Sequence, residues 1–170
     1  MTDWGSFAEG LAKDDVSKSV EVADARSRLA EMLRVQSEYF ARQGTEIARM
    51  LRGRQIPANI TYKPRTFTRA RHGWGVNLDW ANEGPSKLCR LMTDGHWLND
   101  RWEDRVLPMT ASATDEQLAY FFAGQDTLLT TSVPGVAISA DGELSVYDYG
   151  KRVGIDEALQ RAVRAILATP

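Results

Sequence analysis

One cysteine, Cys89, and two histidines, His72 and His96, are the only thiol and imidazole groups in a chain of 170 residues. A lone cysteine forms no internal disulfide and excludes a zinc site built on thiolates. Two histidines among scattered acids give no metal-ligand spacing such as His-x-x-x-His, so neither metal nor cofactor is expected. The chain also lacks a glycine-rich phosphate or dinucleotide loop, Gly-x-Ser-x-Gly and His-Glu-x-x-His. No apolar run approaches the roughly 18 residues of a membrane-spanning helix. The acidic start MTDWGSFAEGLAKDD has no continuous apolar stretch and does not read as a secretory signal. The expected location is therefore cytoplasmic, without membrane insertion.

What is present is a globular composition, 43% hydrophobic and 26% charged, with enough length to bury a core. The net charge of −2 hides an uneven layout. Residues 42–74 carry eight Lys or Arg against the single acid Glu46, a surplus of seven, while both flanks are acidic. A basic middle between acidic flanks fits an anionic partner, or flanks that fold back onto the middle.

Residues 6–53 read as helix. Ser6-Phe7-Ala8-Glu9 has a capping-box pattern at its start. Arg49 and Arg52 suit the last turn, and Gly53 followed by Pro57 marks the end. Gly10 and Gly44 weaken the ends. So long a helix outruns a compact domain of this size, whose radius of gyration is roughly 15 Å. It therefore either breaks near residues 13–17 or projects from the body. Val22/Leu29 and Leu33/Phe40/Ile47 recur every seven residues and form one apolar stripe, widened by Met32 and Tyr39. Gln36 and Gln43 interrupt it, so it is not a clean coiled coil. A second copy of the helix would hide a projecting apolar end.

The period then changes to two. From Ile60 to Trp80 the even positions are largely apolar. The odd ones include Lys63, Arg65, Phe67, Arg69 and Arg71. This predicts a hairpin of strands 60–71 and 74–80 reversing at His72–Gly75. Asp94-Gly95 joins strands 87–92 and 97–102, and Asp141-Gly142 joins 136–140 and 143–149. Both read as type I′ turns. Residues 127–133 suggest a further strand. Thr114-Asp115-Glu116-Gln117 opens a short helix closed by Gly124, and a last helix spans about 155–168 with Ile155, Leu159, Val163, Ile166 and Leu167 on one face. The expected fold is α+β. It is a single domain over residues 1–170, with the helical segment 6–53 and a body from 57 onward. The body is an antiparallel sheet of hairpins, with the later helices on one face.

Three constellations bear on chemistry. Lys63, Arg65, Arg69 and Arg71 share one side of a strand, with Phe67 available to stack a base, so they are the candidate nucleic-acid or polyanion contact. Cys89 with His72, His96 and Asn99 contains the residue types of a thiol hydrolase, yet its strand context favours a small core side chain. Asp100, Glu103 and Asp104 alternate with Arg101 and Arg105 as a self-neutralising turn. Tyr147 and Lys151 share a Tyr-x-x-x-Lys spacing without the dinucleotide loop that would give it meaning.

The sequence thus points to a non-enzymatic interaction or assembly module, a homodimer or a partner of another protein. Val22, Leu29, Leu33, Phe40 and Ile47 are its candidate self-association residues, and no catalytic residue is assigned. Polyanion binding through 63–71 is the first alternative. An enzyme without a short motif is the second.

Overall fold

The computed structural model describes residues 4–62, 69–78, 88–98, 106–124 and 127–169. The chain is α+β. A long helix, α1 (Trp4–Gly53), precedes a four-stranded antiparallel sheet in the order β1 (Ile60–Tyr62), β2 (Arg71–Asn77), β3 (Leu88–Met92), β4 (Trp97–Leu98). A short helix, α2 (Asp115–Phe122), follows. The second four-stranded antiparallel sheet runs β5 (Leu129–Thr130), β6 (Val136–Ile138), β7 (Leu144–Asp148), β8 (Lys151–Gly154), and α3 (Ile155–Ala168) closes the chain. The hairpins thus divide between two meanders instead of forming one sheet. Helix α3 packs on β2 of the first and on β7 and β8 of the second, so it bridges them.

Helix α1 is continuous through residues 13–17, and Ser6 lies inside it and not at its cap. Its 50 residues span about 75 Å at about 1.5 Å per residue. The buried positions are Leu29, Leu33, Ser37, Phe40, Gly44, Ala48 and Leu51. Leu29, Phe40 and Leu51 are eleven apart, as are Leu33 and Gly44, and Ser37 and Ala48. Such an eleven-residue repeat keeps its stripe on one side of a nearly straight helix, where strict heptads would drift. Ile47, expected in the stripe, is therefore only half-buried, and Ala48 takes the inner position. Ser37 satisfies its buried hydroxyl by donating to the Leu33 carbonyl and accepting from the Met109 amide, both at 2.6 Å. Gln36 breaks the apolar series because it donates to the Gly142 carbonyl at 2.6 Å, tying α1 to the second sheet.

The first predicted hairpin needs correction. Residues 71–77 form one strand straight through the expected reversal, and β1 pairs Ile60 with Gly73 and Tyr62 with Arg71. Gly73 serves crowding, not turning: a Cβ there would lie 2.4 Å from the Leu91 carbonyl oxygen. The buried parity was read correctly for Trp74, Val76 and Leu78. Trp74 also donates its indole N–H to the Pro57 carbonyl at 3.1 Å.

Both Asp-Gly hairpins form, but with a different turn. The Gly95 amide donates to the Met92 carbonyl at 2.8 Å, and the Gly142 amide to Ser139 at 2.9 Å. Only the glycine of each pair has positive φ, 90° and 83°. These are tight turns ending in a left-handed glycine and not type I′ turns. The turn with two positive angles falls elsewhere, at Tyr149 (φ 46°) and Gly150 (φ 81°), between the paired Asp148 and Lys151. The strand expected over 127–133 shortens to β5, with Thr131 bridging Ala111. On α2 the capping box is complete. The Gln117 amide donates to the Thr114 hydroxyl at 3.2 Å, and the Thr114 amide to the Gln117 side chain at 2.8 Å. On α3 the inner face is Ile155, Ala158, Leu159, Ala162 and Ile166, so two alanines replace Val163 and Leu167, which are half-buried.

Candidate functional site

From Glu9 to Glu21 every residue of α1 is exposed. The helix leaves the body here as an arm. The cause lies in the sequence: the inward stripe stops at Leu29, and the turns just before it meet α2, while residues 9–21 are exposed. Leu11, Val16 and Val20 are 50%, 63% and 54% exposed. Leu11 lies on one side of the helix, and Val16 and Val20 lie on the other.

At the base of the arm α1 meets α2. Arg26 pairs with Asp115, and the Arg28 guanidinium lies 4.3 Å from the centre of the Phe122 ring. The two helices leave a groove of about 560 Å³, walled by Lys18, Val22 and Ala25 on α1 and by Leu118, Ala119 and Phe122 on α2. Val22 and Ala25 are half-buried. The groove is thus a continuation of the arm, with an apolar floor and charged rims.

A polar cluster sits at the other end of α1. Asp94 accepts from Arg71 at 2.7 Å and from the His96 amide at 3.1 Å, and its carboxylate lies 3.0 Å from His96 Nδ1. Burial alone would push the Asp94 carboxyl up, but the hydrogen bonds from His96 and the Arg71 cation outweigh it and hold the group below its ordinary value. A neighbouring cavity of about 370 Å³ is lined by Ser37, Thr45, Trp97 and Pro108 among others. The Ser37 hydroxyl is already engaged with Leu33 and Met109.

Of the expected self-association residues, Leu29, Leu33 and Phe40 are buried in the chain's own core; Val22 and Ile47 are half-buried. Val22 lies at the groove, and Ile47 faces α3 beside Tyr39 and Met50. Of the basic row, Lys63, Arg65 and Phe67 lie outside the described residues, as do Asn99, Asp100, Arg101, Glu103, Asp104 and Arg105. Arg69 is exposed and precedes β2. Arg71 is on β2 and ion-paired with Asp94.

Cys89 is fully buried opposite Val76, whereas His72 and His96 are exposed. Tyr147 and Lys151 fall on different strands of one hairpin. Among the described residues no three His, Cys, Asp or Glu side chains gather to hold a metal ion, and no helix is long and apolar enough to cross a membrane.

No known protein family, characterised protein or solved structure matches the chain. Two features escaped sequence reading. The Asp94 cluster joins Arg71 to a turn 23 residues away. The α1–α2 groove needs Leu118 and Phe122 brought beside Val22.

Proposed function

We propose that the protein is a non-enzymatic assembly module that associates through the projecting half of α1. The observation that supports this reading is the arm itself. Its residues from Glu9 to Glu21 are exposed, and Leu11 stands on the same side of the helix as the half-buried Val22 and Ala25. A helix of this length is marginal alone in water and normally owes its stability to packing on one apolar face. Anchorage at Leu29 supplies the nucleus, and a partner would supply the packing.

Because Leu29, Leu33 and Phe40 are committed to the core, the self-association face moves upstream, to Leu11 and Val22. Replacing Leu11 with Asp tests this. The substitution touches nothing in the body, so the thermal transition should stay put while the mass in solution falls to that of one chain. A variant that keeps the full mass of the unsubstituted assembly would overturn the proposal.

A further inference from the structure

Leu11, Asp15, Lys18, Val22 and Ala25 follow one another at spacings of four, three, four and three along α1. At about 100° per residue they form a single seam. Val16 and Val20 lie towards the far side of the helix and take no part in it. Two charges interrupt the seam. Among the described residues neither Asp15 nor Lys18 has an ion-pair partner, although they sit within an otherwise apolar row.

A two-fold axis between Val16 and Ser17 turns the interruption into a match. It brings Leu11 of one copy against Val22 of the other and Asp15 against Lys18, each contact occurring twice. The seam also obeys the layer rule of antiparallel pairs, in which a and d positions face each other across the helices. A parallel pairing in register would set Asp15 against Asp15 and Lys18 against Lys18. Opposite charges favour the first arrangement, and like charges disfavour the second.

The groove continues the same seam, because Lys18, Val22 and Ala25 form its α1 wall. In the antiparallel register the first turns of the second copy's helix, positions 4–8, run alongside Ala25 and therefore towards α2. Each groove would be filled by the end of the other arm.

We infer that two copies of this chain pair antiparallel through their α1 arms, with Asp15–Lys18 as the central layer and the α1–α2 groove as the receptor for the other arm's end. This rests on the assembly reading above and adds its partner, polarity and register.

Cysteine cross-linking tests it, since the native thiol of Cys89 is buried. Leu11→Cys and Val22→Cys are made separately and mixed under mild oxidation, and the mass of the unsubstituted chain is measured by light scattering. The register predicts a disulfide dimer in the mixture and little in either variant alone, because identical positions then lie about 16 Å apart. A link in Leu11→Cys alone means parallel arms and overturns the register while assembly stands. A dimer mass without links in the mixture also overturns the register alone. A monomer mass overturns both readings.

The charges give an independent check. Lys18→Asp should weaken the dimer about tenfold or more, and Asp15→Lys with Lys18→Asp should restore it. If the double variant is no tighter than the single one, the central layer is wrong.

Discussion

A Cβ on Gly44 would stand 2.3 Å from the indole nitrogen of Trp97 and 2.7 Å from the Gly95 carbonyl oxygen. The same indole N–H donates to the Phe40 carbonyl at 2.9 Å, with the Trp97 and Phe40 rings 4.7 Å apart. The glycine that reads in sequence as a weakness of the helix is where the β3–β4 turn docks on it. Alanine is better than glycine in a helix by about 1 kcal/mol, so propensity alone predicts that Gly44→Ala stabilises. Crowding reverses the sign: overpacking here should cost about 1–3 kcal/mol and lower the thermal midpoint. Gly10, with nothing within 4 Å of its would-be Cβ, is the control. Gly10→Ala should raise helicity measured by circular dichroism and leave the midpoint of the body unchanged.

Asp94 predicts a limb of the acid stability curve. Its carboxyl is held below the ordinary value of 3.8 in the folded chain. A carboxyl lowered on folding adds stability above its unfolded value, and that contribution disappears as pH falls through the folded one. Denaturant titrations from pH 6 downward should show this loss below about pH 4, and Asp94→Asn should flatten the limb. Identical acid curves for both proteins would rule out the Arg71–Asp94–His96 cluster as a source of stability.

Tyr39 predicts the alkaline side. Burial raises its phenol to about 12, helped by the hydrogen bond it donates to Asp156. A phenol raised on folding favours the protonated native state, so its contribution is full below the unfolded value of 10.0 and is lost as pH rises towards the folded one. Phenolate absorbance should show a late-titrating component that is lost in Tyr39→Phe. A titration curve that Tyr39→Phe leaves unchanged at its alkaline end would count against the Tyr39–Asp156 contact between α1 and α3.

Glu21 predicts a gain. In the antiparallel register Asp14 and Glu21 flank the seam and oppose each other with like charge. Glu21→Lys turns this repulsion into attraction at both ends of the dimer. The dissociation constant should fall about twofold to tenfold, and sedimentation at low salt is the measurement. Weaker association in that variant would place Glu21 elsewhere in the interface.

Local signals were legible wherever one segment decides its own structure. Thr114–Gln117 capped α2 because the box is complete within four residues. The parity of Trp74, Val76 and Leu78 gave the buried face of β2. The division into two sheets was not legible, because α3 joins them by contacts distant in sequence. The reversal placed at His72–Gly75 failed because Gly73 relieves contact with Leu91 and Met92, a neighbour relation that no local pattern records. The seven-residue spacing of Leu33, Phe40 and Ile47 described amphipathicity without telling self from partner. Leu29, Leu33 and Phe40 turned inward, and Val22 and Ile47, at the two ends of the stripe, are half-buried.

Light scattering on the full chain in low salt, with absorbance read at 260 and 280 nm, tests the central claim most directly. Assembly through α1 predicts twice the 19.0 kDa of one chain with the spectrum of pure protein. A single-chain mass across the micromolar range would contradict it. So would a larger mass whose raised 260 nm absorbance disappears in high salt, which would make Arg65 and Arg69 the first residues to replace.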